Sequence, residues 1–294
     1  MKMTPPDIAS DPSTLAPLPR WVTARRAEAF EDVAFLSGYA LSHLHLVAAR
    51  PELPHALLRD RLALRAAEAC AALSGRIERA AELRDTCHLL RPGDLPGPAG
   101  EMYLSWRRAV ERPVSPQGLH RALPAVEATE VAVWLDSGQG APLRRAAAVF
   151  ETVLRERPRA RVPSLIMAEA ALAQGMGATH LLPLLALGLK RADFNVRGDA
   201  LVDACHRAVI AAVPEVLTLA SDLTRKAAHL VSVAPKLRAK GAGEAVEMFL
   251  TQDAVAPAAL PLPDRAARRL CDRLVELGAV RELTGRDTFR LYGV

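Results

Sequence analysis

"DRAARRLCDRLVELGAVRELTGRDTFRLYGV", residues 264–294, decides whether this chain is a plain assembly of helices or a helical body with a second part. The run "PLPDRAARRLCDRLVELG" (261–278) reads as a helix with Asp264 as its N-cap and Gly278 as its C-terminal stop. At 100° per residue, Ala267, Leu270, Cys271, Leu274 and Leu277 gather on one side. Arg265, Arg268, Arg269, Arg273, Asp272 and Glu276 gather on the other, so one face packs and the other stays exposed. After Gly278, "AVRELTGRDTFRLYGV" reads as a hairpin. Val280 and Leu283 lead into the turn Thr284, Gly285, Arg286, Asp287, and Phe289 and Leu291 return. Gly285 supplies the positive φ that a tight hairpin turn tends to need.

Upstream, "EAVEMFLTQD" (244–253) is a first helix with Ala245, Val246, Phe249 and Leu250 apolar, and "AVAPAAL" (254–260) has room for one helical turn. Helix, short turn, helix, hairpin is the order of a winged helix-turn-helix, whose second long helix enters a major groove while the hairpin meets backbone or minor groove. "PKLRAKGAGEAVEMFL" is the expected hinge: Pro235 ends the preceding helix, and Gly241 and Gly243 loosen the chain.

Residues 21–235 read as an all-helical body. The segments "RAEAFEDVAFLSGYALSHLHLVAAR", "PHALLRDRLALRAAEACAALSG", "RIERAAELRDTCHLL" and "GEMYLSWRRAVER" carry helical periodicity, with "RPGDLPGPAG" (91–100) as a break. "LHRALPAVEATEVAVWLDSG", "APLRRAAAVFETVLRERP" and "VPSLIMAEAALAQGMG" follow, each bounded by Pro or Gly. "THLLPLLALGLKRADF" is short and apolar and belongs at the centre of the core. In the stretch 197–235, Pro214 either kinks one long helix or starts a second. Nine to eleven helices are expected in one body. Helix pairs recur without a self-similar signature, so a solenoid stays open. Residues 1–20, with five prolines and no apolar stretch of the secretory type, are expected to be disordered.

Half of the 294 residues are apolar and only 4% are aromatic, while Ala and Leu abound, which favours a globular, mainly α chain. The net charge is +5 and nearly all of the positive charge is Arg, with five lysines in the whole chain. The codons of a GC-rich genome explain that bias globally; local clusters are another matter. The four cysteines lie far apart without a C-x-x-C, which argues against a disulfide framework and fits a reducing cytoplasm. No apolar run approaches the ~18 residues that span a bilayer, so no membrane partner is expected.

In the tail, Arg265, Arg268, Arg269 and Arg273 are the candidate DNA contacts from the helix and Arg286 the candidate contact from the hairpin tip. Lys236, Arg238 and Lys240 form a candidate basic arm on the phosphates. The expected function is regulatory binding of double-stranded DNA, with the body serving homodimerisation or sensing; a dimer would read a two-half-site palindrome. The competing reading is a protein-interaction scaffold whose winged helix docks a partner protein, because residues 264–294 carry seven Arg against five acidic residues, a surplus that ordinary solvated helices also show.

Catalysis is not expected, nor a cofactor or bound metal. H-E-x-x-H, the phosphate-binding loop G-x-x-x-x-G-K-[ST] and G-x-S-x-G do not occur. "SGQGAPLRR" (137–145) places two glycines before a helix and reads as an ordinary loop before it reads as an anion site. His43 and His45 diverge by ~200° on a helix. Cys87-His88 and Cys205-His206 would need two adjacent residues to converge on one zinc ion, twice over. Asp199 and Asp203 share a helical face, with Arg207 four residues beyond Asp203 as the natural ion-pair partner.

"PKLRAKGAGEAVEMFL", "DAVAP", the tail, "LPRW" (18–21), "LRDRLALRAAEACAALSGR", and "GDLPGPAG" followed by "SWRR" together resemble an uncharacterised bacterial family, domain of unknown function 1403. The resemblance spans nearly the whole chain. It brings no established activity, and implies an association with mobile or plasmid-borne DNA. The tail alone, through "RLVELGAVRELTGR", also resembles the winged helix that closes many Fic-type adenylyltransferases. Their catalytic H-P-F-x-x-G-N-G-R is absent, so the likeness implies the module and not the transferase.

Overall fold

The computed structural model describes residues 17–24, 29–91, 93–286 and 288–294. The expectation of disorder for residues 1–20 lies almost wholly outside them. The described chain is mainly α. It begins with α1 (Arg20–Ala24), α2 (Phe30–Ala48), α3 (His55–Leu73), α4 (Ala80–His88) and α5 (Gly97–Glu111). Then come α6 (Pro116–Ala122), α7 (Ala128–Asp136), α8 (Pro142–Glu156), α9 (Arg161–Gly175), α10 (Leu184–Gly188) and α11 (Gly198–Val233). The tail holds α12 (Ala242–Thr251), α13 (Asp264–Glu276) and the strands β1 (Arg281–Glu282) and β2 (Tyr292–Gly293).

Pro214 neither starts a second helix nor ends the first. α11 runs for 36 residues through it, and the Pro214 carbonyl accepts the Thr218 hydroxyl at 2.8 Å. The helix survives because its buried stripe, from Leu201 through Val213 and Val216 to Val233, packs along its whole length and outweighs the one lost backbone bond. α11 touches α2, α3, α8, α10 and α12, which is unlike a solenoid, where each repeat meets only its neighbours. The single helical stretch expected over 119–138 is split into α6 and α7, because Leu123 leaves helical geometry just before Pro124.

α10 lies where its apolar sequence places it, buried against α11, α9 and α3. Its close approach to α11 depends on Gly188, where a Cβ would collide with the Ala208 main chain. The first turn of α10 is held by Glu169, which is 1% exposed. Its Oε1 accepts the Leu185 and Ala186 N–H groups at 2.5 and 3.0 Å, while Oε2 has no hydrogen-bond partner among the described residues. Burial pushes this carboxyl from its ordinary 4.5 up to about 8, against the lowering effect of those N–H groups.

The unfolded chain therefore ionises Glu169 at a lower pH than the folded chain does. Folding takes up a proton between the two values, so this residue's contribution to stability is full below the unfolded value and falls as pH rises towards about 8. The melting temperature of the wild type is expected to drop between about pH 5 and about pH 8, and Glu169→Gln is expected to flatten that drop. Equal slopes in the two proteins would show that Glu169 is ionised in the fold at neutral pH.

Candidate nucleic-acid interface

The tail is fastened to the body by buried charge. Asp253, directly after α12, has no exposed surface. Its carboxylate accepts Arg84 of α4 through Nε at 2.5 Å and is ion-paired with Arg61 of α3. The Asp253 N–H donates to Asp60 Oδ2 at 2.9 Å, and Arg107 of α5 donates to Asp60 Oδ1 at 3.1 Å. Arg61 also reaches the main-chain oxygens of Asp253 and Val294 at 3.5 and 3.4 Å. Burial raises the Asp60 carboxyl above its usual range even though Arg107 pulls it down. Burial, aided by Arg107, lowers His88 to about 4, so its ring is neutral at pH 7.

The hydrophobic core runs through the same junction. α12 lies against α3 and α11, and Phe249, Val255, Leu270 and Leu274 belong to the cluster that includes Leu57, Leu62 and Tyr103. Pro235, at the expected boundary, sits in a 3-10 turn, Ala234–Lys236. Lys236, Arg238 and Lys240 are exposed. Gly241 has φ +92°, and α12 begins at Ala242, so Gly243 is helical rather than part of a loose linker.

The segment 254–260 does hold one turn, Pro257–Ala259. Its first part also pairs with the final strand: Val255 and Tyr292 exchange N–H···O bonds of 2.8 and 2.9 Å. β2 in turn pairs antiparallel with β1, and the order across the ribbon is Val255, β2, β1. The strands are only two residues each. The tight turn expected at 284–287 is a wider excursion, since Leu283 N–H bonds Leu291 O at 2.7 Å and the described residues between them, 284–286 and 288–290, belong to no helix or strand. Of that turn, Gly285 has φ +61°, while Asp287 lies outside the described residues.

On α13, Ala267, Leu270, Cys271 and Leu274 are buried and Leu277 half-buried, on the side the periodicity assigns them. Asp264 is not the N-cap. Pro263 takes that position, and Asp264, the first helical residue, pairs with Arg268 at 2.8 Å. Arg273 pairs with Glu276 at 2.9 Å. Arg265 and Arg269 are exposed and have no ion-pair partner among the described residues. The four arginines thus share one outward face, with two of them uncompensated. Arg286 does not stand free at the hairpin tip: it is ion-paired with Asp85 of α4.

A groove of about 680 Å³ runs between α13 and the hairpin. Asp264, Arg268 and Asp272 form its α13 wall, Phe289 and Tyr292 its hairpin wall, and His88 at the end of α4 closes one side. Phe289 is 66% exposed and takes a positive φ of 55°.

The other residues singled out from sequence stay apart. Among the described residues, no three His, Cys, Asp or Glu side chains converge as a metal site. Arg207 holds Asp203 at 2.7 Å, as the spacing suggests, and Asp199 goes to Arg144 at 3.0 Å. His43 stacks on Tyr39. No helix among the described residues is long and apolar enough to cross a membrane. Sequence reasoning missed the Asp253 cluster, because its partners lie 169 and 192 residues away and no local pattern joins them.

Over residues 6–294 the chain matches the family described as "Protein of unknown function (DUF1403)", and it belongs to that family. A search of curated proteins gives no match. Neither comparison supports the likeness of the tail to Fic-type enzymes.

Replacing Asp253 strands the Arg61 and Arg84 charges in the interior. Asp253→Ala is expected to lower unfolding stability by about 3–5 kcal/mol in denaturant titrations. A loss below about 1 kcal/mol would mean that the cluster opens to water at little cost.

Proposed function

We propose that the chain is a non-enzymatic, regulatory DNA-binding protein in which residues 236–294 act as a winged helix and α13 is the reading helix. One observation carries the proposal: the exposed, uncompensated Arg265 and Arg269 share the outward face of α13 with Arg268 and Arg273. The order helix, bridging residue, turn, helix, ribbon supports it, as does the ribbon order Val255, β2, β1. In such modules the strand after the first helix joins the same sheet as the hairpin.

Phosphates attract the four guanidinium groups, and the two pairs with Asp264 and Glu276 exchange readily because both are solvent-exposed. Lys236, Arg238 and Lys240 extend the basic surface along the backbone. Contact by the hairpin tip requires the Arg286–Asp85 pair to open first. The body then restrains the wing until DNA competes for Arg286.

A second reading, a docking site for a partner protein, is favoured by Phe289 and the apolar part of the groove beside it, Leu89, Ala256, Pro257 and Leu291. An aromatic side chain exposed at the rim of such a groove is a common anchor in protein interfaces.

Fluorescence anisotropy of the full chain with a mixed pool of duplex DNA separates the two. Four phosphate contacts give a fall in affinity of about 100-fold between about 50 and about 200 mM salt. Arg265→Ala/Arg269→Ala is expected to reduce the log–log salt slope by about 2, and Asp85→Ala to strengthen binding by freeing Arg286. Absence of binding at low salt, or an unchanged slope in the double variant, overturns the DNA reading.

A further inference from the structure

A cavity of about 460 Å³ opens far from the tail, between α2, α8 and the first turns of α11. Its size falls within the range of small-molecule pockets, about 300–1,000 Å³. Phe30, Leu41, Leu143, Met176 and Val202 line it, and the lining is mostly apolar. Three polar side chains stand in the wall, Ser37, Arg144 and His206. Arg144 is already paired with Asp199 at 3.0 Å. His206 is not so satisfied.

The Ser37 hydroxyl, fully buried on α2, lies 2.9 Å from the Ala34 carbonyl and 2.5 Å from His206 Nδ1. A hydroxyl has one proton, and the carbonyl can only accept. With Nδ1 protonated, His206 donates to Ser37 Oγ while the Ser37 hydroxyl donates to the Ala34 carbonyl; with Nδ1 bare, the hydroxyl donates to His206 instead. Only the first arrangement makes both Ser37 contacts hydrogen bonds at once, and in it Nε2 is the acceptor of the neutral ring. Burial depresses the imidazole pKa, against the pull of Asp203, so the ring stays neutral at pH 7. The edge-on contact with Phe30, 5.6 Å between ring centres, orients the ring further. Nε2 has no hydrogen-bond partner among the described residues.

We propose that this cavity binds a small, mainly apolar molecule whose single hydroxyl or N–H group donates to His206 Nε2. The apolar walls hold the body of the ligand, and the oriented acceptor selects for the donor. Gly38 leaves space at the wall: a Cβ there would meet nothing within 4 Å. The site is independent of the DNA-binding reading and stands or falls separately.

The probe is para-propylphenol, with para-propylanisole as the control that keeps the shape and loses the donor. Titration of the full chain, labelled with ¹⁵N-histidine, is followed by calorimetry and by the ring nitrogen resonances. The phenol is expected to bind saturably, about 5- to 10-fold tighter than the anisole, and to move the His206 Nε2 resonance. His206→Phe is expected to bring the two ligands within about 2-fold of each other. Gly38→Leu is expected to abolish binding of both by filling the cavity, and since leucine is the better helix former the variant keeps its fold. No saturable binding of the phenol up to its solubility limit overturns the proposal. So does equal binding of phenol and anisole to the wild type, or undiminished binding to Gly38→Leu.

Discussion

Asp253 has no exposed surface, yet it meets two arginines that come from different helices. Buried charges of this kind add little net stability compared with apolar packing, because each group loses its hydration. What they impose is geometry. Arg61 and Arg84 leave Asp253 one position in which both charges are met, and the Asp253 N–H on Asp60 ties the main chain there as well. The bonds from Arg61 to the Asp253 and Val294 oxygens then fix where the last strand runs. The place of Val255 beside β2, and so the ribbon beside α13, follows from this one junction.

The outward face of α13 is a consequence. Its apolar side belongs to the same core cluster as Phe249 and Val255, so its arginines lie on the exposed side, Arg265 and Arg269 without an ion-pair partner among the described residues. α11 joins this region to the cavity around His206. Near its start it carries Val202 and His206, and near its end His229 donates through Nε2 to the Leu277 carbonyl at 3.0 Å. A helix of 36 residues is a rod of about 54 Å, and it is packed along most of that length. The two candidate sites therefore share a stiff element.

Much of the helical layout was legible in the sequence. The buried stripe of α13, the apolar centre at α10 and the single turn at Pro257–Ala259 follow from period, composition and proline placement. Of the two readings open at Pro214, one long helix is what forms, because α11 is held by tertiary packing. Pro124 does mislead, since a continuous apolar pattern over 119–138 hides the break between α6 and α7. In the candidate interface, the sequence identifies the face that carries Arg265 and Arg269 but cannot show that Asp85 holds Arg286 across 201 positions. The Asp253 cluster and the Ser37–His206 pair are illegible for the same reason. Each joins residues more than 160 positions apart, and periodicity carries no information about such partners.

The buried charges are expected to make tail and body one cooperative unit. Native-state hydrogen exchange of the wild-type chain distinguishes this from two separate openings. The slowest amides of α12 and α13 are expected to exchange through the same global opening as those of α3 and α5, with free energies within about 1 kcal/mol. Exchange of the tail through a separate opening several kcal/mol lower in free energy, with α3 and α5 still protected, would contradict it.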